Sequence, residues 1–108
     1  MSTLTLRATG RAPTDVVWGR YVDTRLWSTW SPQIRSVVLD AGTHDLRAGL
    51  TGRVVGPFGV GVRFEVVSLH EATMTWAWRV HAGPVTMLMH HAVLADPAGS
   101  TTTLTIEG

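Results

Sequence analysis

The stretch Thr75-Trp76-Ala77-Trp78-Arg79-Val80-His81-Ala82-Gly83-Pro84-Val85-Thr86-Met87-Leu88-Met89-His90-His91-Ala92-Val93-Leu94-Ala95 decides the fold. Large apolar and polar side chains alternate on both sides of Ala82-Gly83. A period of two means strands, because neighbouring strand residues point to opposite faces. A glycine between two such runs means a hairpin. With Ala82-Gly83 as a two-residue turn, His81 opposes Pro84, Trp78 faces Met87, Trp76 faces Met89 and Met74 faces His91. Asp96-Pro97-Ala98-Gly99 is the next turn, with each residue type in a favoured place. It sets Ala95 against Ser100, Val93 against Thr102, His91 against Leu104 and Met89 against Ile106. The two turns agree in putting Met87, Met89, His91 and Val93 on one face. Met74, Trp76, Trp78, Val80, Leu104 and Ile106 share it, and the loop Leu69–Thr73 lets Val62, Phe64 and Val66 join. Thr75, Arg79, His81, Thr86, His90, Thr103 and Thr105 take the other face. One oily face and one polar face is the pattern of an antiparallel meander.

Working outward, Val60–Leu69, Leu50–Val55 and Ile34–Asp40 read as further strands, and Thr101–Glu107 as the last. Near the start, Thr3 to Thr9 alternates, with Leu4, Leu6 and Ala8 on one side. The one helical stretch follows. Pro13 suits a first turn, Asp15 suits the positive end of the helix dipole, and Val17, Trp18, Tyr21 and Val22 recur at helical spacing. Thr24 is a candidate cap for a second short helix over Arg25 to Trp27, stopped by Ser31-Pro32. The order is one strand, two short helices, then about six strands. Fifteen Thr and fourteen Val fit so much pleated surface. Arg53 points inward if Gly56–Gly59 is a tight turn and outward if Gly59 carries a bulge; the outward direction is expected. Arg63, Glu65, Arg79 and His81 are expected on the outer face, paired across strands.

Composition narrows the function. At 108 residues there is room for one domain, residues 1–108. A net charge of +1 leaves no footprint for nucleic acid or an anionic membrane. All nine basic residues apart from His are Arg, which reads as a GC-rich bacterial coding bias and not as an arginine site. The absence of Cys excludes disulfides, thiolate metal sites and Cys nucleophiles. No apolar run approaches the ~20 residues of a membrane helix. Met1 to Arg7 lacks a basic start followed by an apolar core, so a cytoplasmic protein without a secretory signal is expected. Residues 56–61, Gly-Pro-Phe-Gly-Val-Gly, lack the Lys and the helix of a phosphate loop, and no Gly-x-Ser-x-Gly elbow occurs. No cofactor is expected.

The oily face must be covered. Thr14–Val22, at ~1.5 Å per residue, is only about 13 Å long and cannot cover a six-stranded sheet. The expectation is that a helix beyond Gly108, or another chain, supplies the cover.

These pieces resemble a known family. The first strand, then Ala12-Pro13-Thr14-Asp15-Val16-Val17-Trp18, Tyr21-Val22-Asp23 and Trp27-Ser28-Thr29-Trp30-Ser31-Pro32, look like the opening of the START-like superfamily, in its SRPBCC branch of polyketide cyclases, dehydrases and lipid-transport proteins. Gly49 to Gly52, Phe64-Glu65-Val66, Thr75-Trp76-Ala77-Trp78, His91-Ala92-Val93 and Thr103 to Gly108 agree with it. The resemblance spans the chain, carried mainly by the order of elements. It implies an α+β, helix-grip fold, in which a curved antiparallel sheet of six to seven strands wraps a long C-terminal helix around an apolar cavity. That helix is absent from these residues, so residues 1–108 read as a single START-like domain, incomplete at its C-terminus. Members bind small molecules, carry lipids or cyclise polyketides, so the family implies an apolar, often ring-bearing ligand.

Candidate residues follow from the inward face. His91 is the one ionisable group placed there. It suits a polar contact to a ligand, or an acid/base role if the protein is an enzyme; a core imidazole bonded to a neighbour is the commoner arrangement. His90 and His91 point to opposite faces and cannot chelate one ion, and no metal is expected. Trp76 and Trp78 can stack on a ligand ring or simply pack. Met87 and Met89 suit an adaptable wall or core filler. Phe64 shares their face. Trp27 and Trp30 flank the second helix, where Trp30 suits a cavity mouth or a staple. The leading expectation is a binder or carrier of a hydrophobic small molecule on Trp76, Trp78, Met87, Met89, His91, Phe64 and Trp30. The alternatives are a cyclase, aromatase or dehydratase with His91 as base, and an interaction module, a homodimer or a sheet that accepts another chain's helix.

Overall fold

The period-two stretches pair into one antiparallel sheet. The computed structural model describes residues 3–108; Met1 and Ser2, the first residues of the leader reading, lie outside them. The strands are β1 (Thr3–Gly10), β2 (Ser36–Leu39), β3 (Thr51–Val55), β4 (Gly61–His70), β5 (Thr75–Ala82), β6 (Val85–Asp96) and β7 (Gly99–Glu107). Helix α1 (Thr14–Val22) and a 3₁₀ helix (Thr24–Thr29) connect β1 to β2. The sheet order is β1-β7-β6-β5-β4-β3-β2, so β2 to β7 form a meander and β1 returns to pair with β7. This is the helix-grip sheet of seven strands with two short helices, and no long helix accompanies it among the described residues. None of their helices is long and apolar enough to cross a membrane.

Register holds at one turn and shifts at the other. Ala95 pairs with Ser100 and His91 with Leu104, as the Asp96–Gly99 turn requires. In the preceding hairpin Ala82 pairs with Val85, so the turn is Gly83-Pro84 and not Ala82-Gly83. Trp78 therefore faces Met89, Trp76 faces His91 and Val80 faces Met87. Gly83 has φ 61°, which suits the first central position of a type II′ hairpin turn, where a proline with φ fixed at about −65° can stand second, as it cannot in type I′. The slip is two residues, so no side chain changes face. Met74 lies in the turn before β5, at φ 51°, and not opposite His91.

Two local expectations are corrected. Pro13 sits just before the first turn, at the N-cap of α1, where its carbonyl accepts from Val16 and Val17. The 3₁₀ helix is capped by Asp23, whose Oδ1 accepts from the Arg25 N–H at 3.0 Å, while the Thr24 hydroxyl donates to the His44 carbonyl. Arg53 opposes Arg63 and is exposed, which settles its direction as outward. On that outer face Arg79 meets Glu65 directly across β4–β5 at 3.0 Å, and Arg63 meets Asp40 at 2.8 Å.

Aromatic side chains join the helices to the sheet. Trp27 is fully buried, donates from Nε1 to the Tyr21 carbonyl at 2.8 Å, and packs on Phe64, Trp76 and Trp78 with ring centroids 5.1–5.6 Å apart. A bulge between Val66 and Ser68 leaves Val67 unpaired and lets Leu69 oppose Trp76; such a bulge bends its strand. The covered part of the inner face lies over β4 to β6. Towards β1 it is open, and Leu4 and Leu6 remain 54% and 50% exposed, although their register partners Ile106 and Leu104 place them on the inner face.

Candidate functional site

Between the helices and the inner sheet face lies an open trough with two lobes of about 650 Å³ and about 420 Å³. The first lobe runs along β1, β7 and α1, past Leu6, Ala8, Val17, Tyr21 and Thr102. The second is walled by Ile34, Val54, Val62, Trp78, Val80 and Met89 and carries no Asp, Glu or Arg. Trp30, Ser31, His91 and Leu104 border both lobes and form a waist. Arg7, Arg11 and Arg20 border the first lobe with no acid among its lining residues.

His91 is the chemical centre of the waist. It is 3% exposed and stacks flat on Trp76, with centroids 4.6 Å apart and planes 9° from parallel. Trp78 donates from Nε1 to His91 Nε2 at 3.0 Å. An indole can only donate, so Nε2 must accept, and a neutral ring then carries its proton on Nδ1. The ring is neutral: burial, helped by the charge of neighbouring His90, pushes its pKa down to about 3. His91 Nδ1 has no partner among the described residues. Neither do the buried Nε1 atoms of Trp18, Trp30 and Trp76. A buried donor without an acceptor costs about 1–3 kcal/mol. Tyr21, 5.1 Å from His91 by ring centroids, is a protonated phenol whose pKa burial raises against a smaller opposing effect of the Thr102 hydroxyl.

The geometry sorts the residues expected from sequence. Trp30, Trp78, Met89 and His91 line the trough. Trp76 and Phe64 are buried beneath it, 1% and 2% exposed, and support the lining side chains. Met87 is half-buried and borders neither lobe. Sequence reading did not single out Tyr21 and Leu104 for the site, though each lies on a face that the patterns mark. Val17, Arg20 and Tyr21 are spaced i, i+3, i+4 and form one side of α1. His90 is exposed on the reverse side of the sheet, where Nε2 lies 3.5 Å from Glu107. No group of three His, Asp or Glu side chains is placed to hold a metal ion among the described residues.

As a general base His91 is poorly arranged. Its lone pair already accepts from Trp78, and the remaining nitrogen carries a proton. It is arranged to donate.

Comparison with known structures supports the architecture. The chain is similar to protein MLL2253 from Mesorhizobium loti, with 13% identity, TM-score 0.79, and coverage of 99% of this chain and 76% of that one. It is similar to Ara h 8.0201, with 18% identity, TM-score 0.76, and coverage of 97% and 74%. DynU16, a protein of the dynemicin biosynthetic locus, gives 19% identity and TM-score 0.75 over 97% of this chain and 36% of its own. At these identities the likeness is one of fold. No curated protein matches the sequence. The family model described as polyketide cyclase / dehydrase and lipid transport matches residues 1–108, and the chain belongs to that family.

Proposed function

We propose that the trough binds or carries a hydrophobic small molecule in the cytoplasm, with Trp78 and Met89 against its apolar body and Trp30 and His91 against a polar group. One observation carries this reading. A hollow of about 420 Å³ with an almost wholly apolar lining opens beside a buried polar waist, which is the usual composition of a small-molecule site. Family membership supports hydrophobic ligands in general. The donor geometry of His91 favours binding over base-catalysed cyclisation. The half-exposed Leu4 and Leu6 add the expectation that a long helix, from a continuation of this chain or from a partner, closes the open side.

The test is titration with 1-aminoanthracene, a neutral fluorescent three-ring probe. Saturable enhancement is expected, and Met89→Arg should weaken it by roughly tenfold or more, because a charge then stands in the second lobe. A non-saturating response, or one indifferent to Met89→Arg in a variant with unchanged circular dichroism, overturns the reading.

A further inference from the structure

We infer that the waist recognises a neutral carbonyl oxygen on a flat apolar molecule, and that Trp78 is the positioning residue that makes His91 its donor. The inference rests on the binding reading above. Trp78 occupies His91 Nε2, and Trp76 holds the plane of the ring from one side. Only Nδ1–H is left to interact. The Trp30 ring lies 5.5 Å from the His91 ring, and its Nε1–H is also buried without an acceptor. Both residues border both lobes. Among the described residues, the buried polar atoms left without a partner at the waist are thus two N–H donors. A carbonyl oxygen has two lone pairs and no proton, and matches two donors. A ligand hydroxyl can accept there too, but it also brings a proton that neither donor can take.

The oxygen is neutral because nothing at the waist balances a charge. His91 is uncharged, Tyr21 is a phenol, and the second lobe holds no cation. Arg7, Arg11 and Arg20 border the first lobe as exposed side chains, in water, and none of them borders the second lobe. A carboxylate moved to the waist would lose its hydration and gain only neutral donors.

Three probes with one skeleton separate the possibilities: fluorene, 9-fluorenone and fluorene-9-carboxylate. For wild type, 9-fluorenone is expected to bind at least ~tenfold more tightly than fluorene, with the carboxylate weakest. Nitrogen-15 correlation spectra should show free His91 as one neutral tautomer with the proton on Nδ1. Trp78→Phe should release Nε2, populate the other tautomer and reduce the preference for the ketone. Trp30→Phe should reduce that preference while leaving the tautomer unchanged, which a merely structural role would not do. Equal binding of fluorene and 9-fluorenone, tighter binding of the carboxylate, or a proton on Nε2 overturns the inference while leaving the binding reading intact. If none of the three probes binds, the binding reading falls and this inference falls with it.

Discussion

Protonating His91 would put a charge beneath three tryptophans, and the fold resists this. The unfolded chain has no such difficulty, and its imidazole takes a proton near the ordinary pKa of 6.5, against about 3 in the native state. Between those values the unfolded state binds a proton that the native state refuses, so stability rises with pH. The stabilisation is complete above about pH 6.5 and is lost progressively as pH falls towards 3. Urea unfolding at pH 4.5 should show a loss on the order of 2–3 kcal/mol relative to pH 7. His91→Phe should lower stability at pH 7, since Trp78 then lacks an acceptor, but should flatten that pH dependence. An unchanged slope in the variant would assign the effect to other groups. The inward position of this His was legible from alternation alone. Its tautomer was not, because that depends on which indole reaches Nε2 diagonally across the strand pair, a matter of register and not of pattern.

At the scale of elements, the hairpin of β5 and β6 separates what pattern reveals from what it leaves open. Alternation fixes which side chains share a face, and a slip of two residues preserves that sharing. It does not fix who opposes whom. That depends on whether Ala82-Gly83 or Gly83-Pro84 forms the turn, and both are plausible turn pairs by composition. The Asp96–Gly99 turn was legible because Asp96 adds its own contacts, accepting from the Ala98 N–H at 2.9 Å and from the Thr101 hydroxyl at 3.2 Å. The β2–β3 pair shows a further constraint. Gly52 opposes Leu39 and Phe64, and a Cβ there would lie 2.5 Å from the Val38 carbonyl oxygen. A Cβ on Gly61 would instead meet the side chain of Arg53, which can move. Gly52→Ala should therefore cost about 1–3 kcal/mol, and Gly61→Ala well under 1. Thermal unfolding of the two variants checks the order, and equal losses would refute this account of the edge. Gly99, at φ 148° against the backbone of Arg11, is a second position where no larger residue fits.

For the whole molecule, the family order of strand, helices and meander was readable from one end of the chain to the other, as was the short reach of the two helices. The lobes themselves were not readable, since a cavity is the space that packed side chains fail to fill, and alternation says nothing of its size. The lobes predict a linkage. A molecule that binds the native trough and not the unfolded chain adds about 2.7 kcal/mol at a hundredfold excess over its Kd. For a domain of this size that raises Tm by on the order of ten degrees. Calorimetry with 9-fluorenone at that excess should show the shift, and a Tm that stays put would mean that the native and unfolded chains bind it alike.

Trp30, Ser31, His91 and Leu104 belong to both hollows at once. They are a shared partition, and a partition cannot adjust to a tenant on one side without altering the room on the other. Two small guests would therefore feel each other without touching, and a long one would have to thread past the imidazole edge.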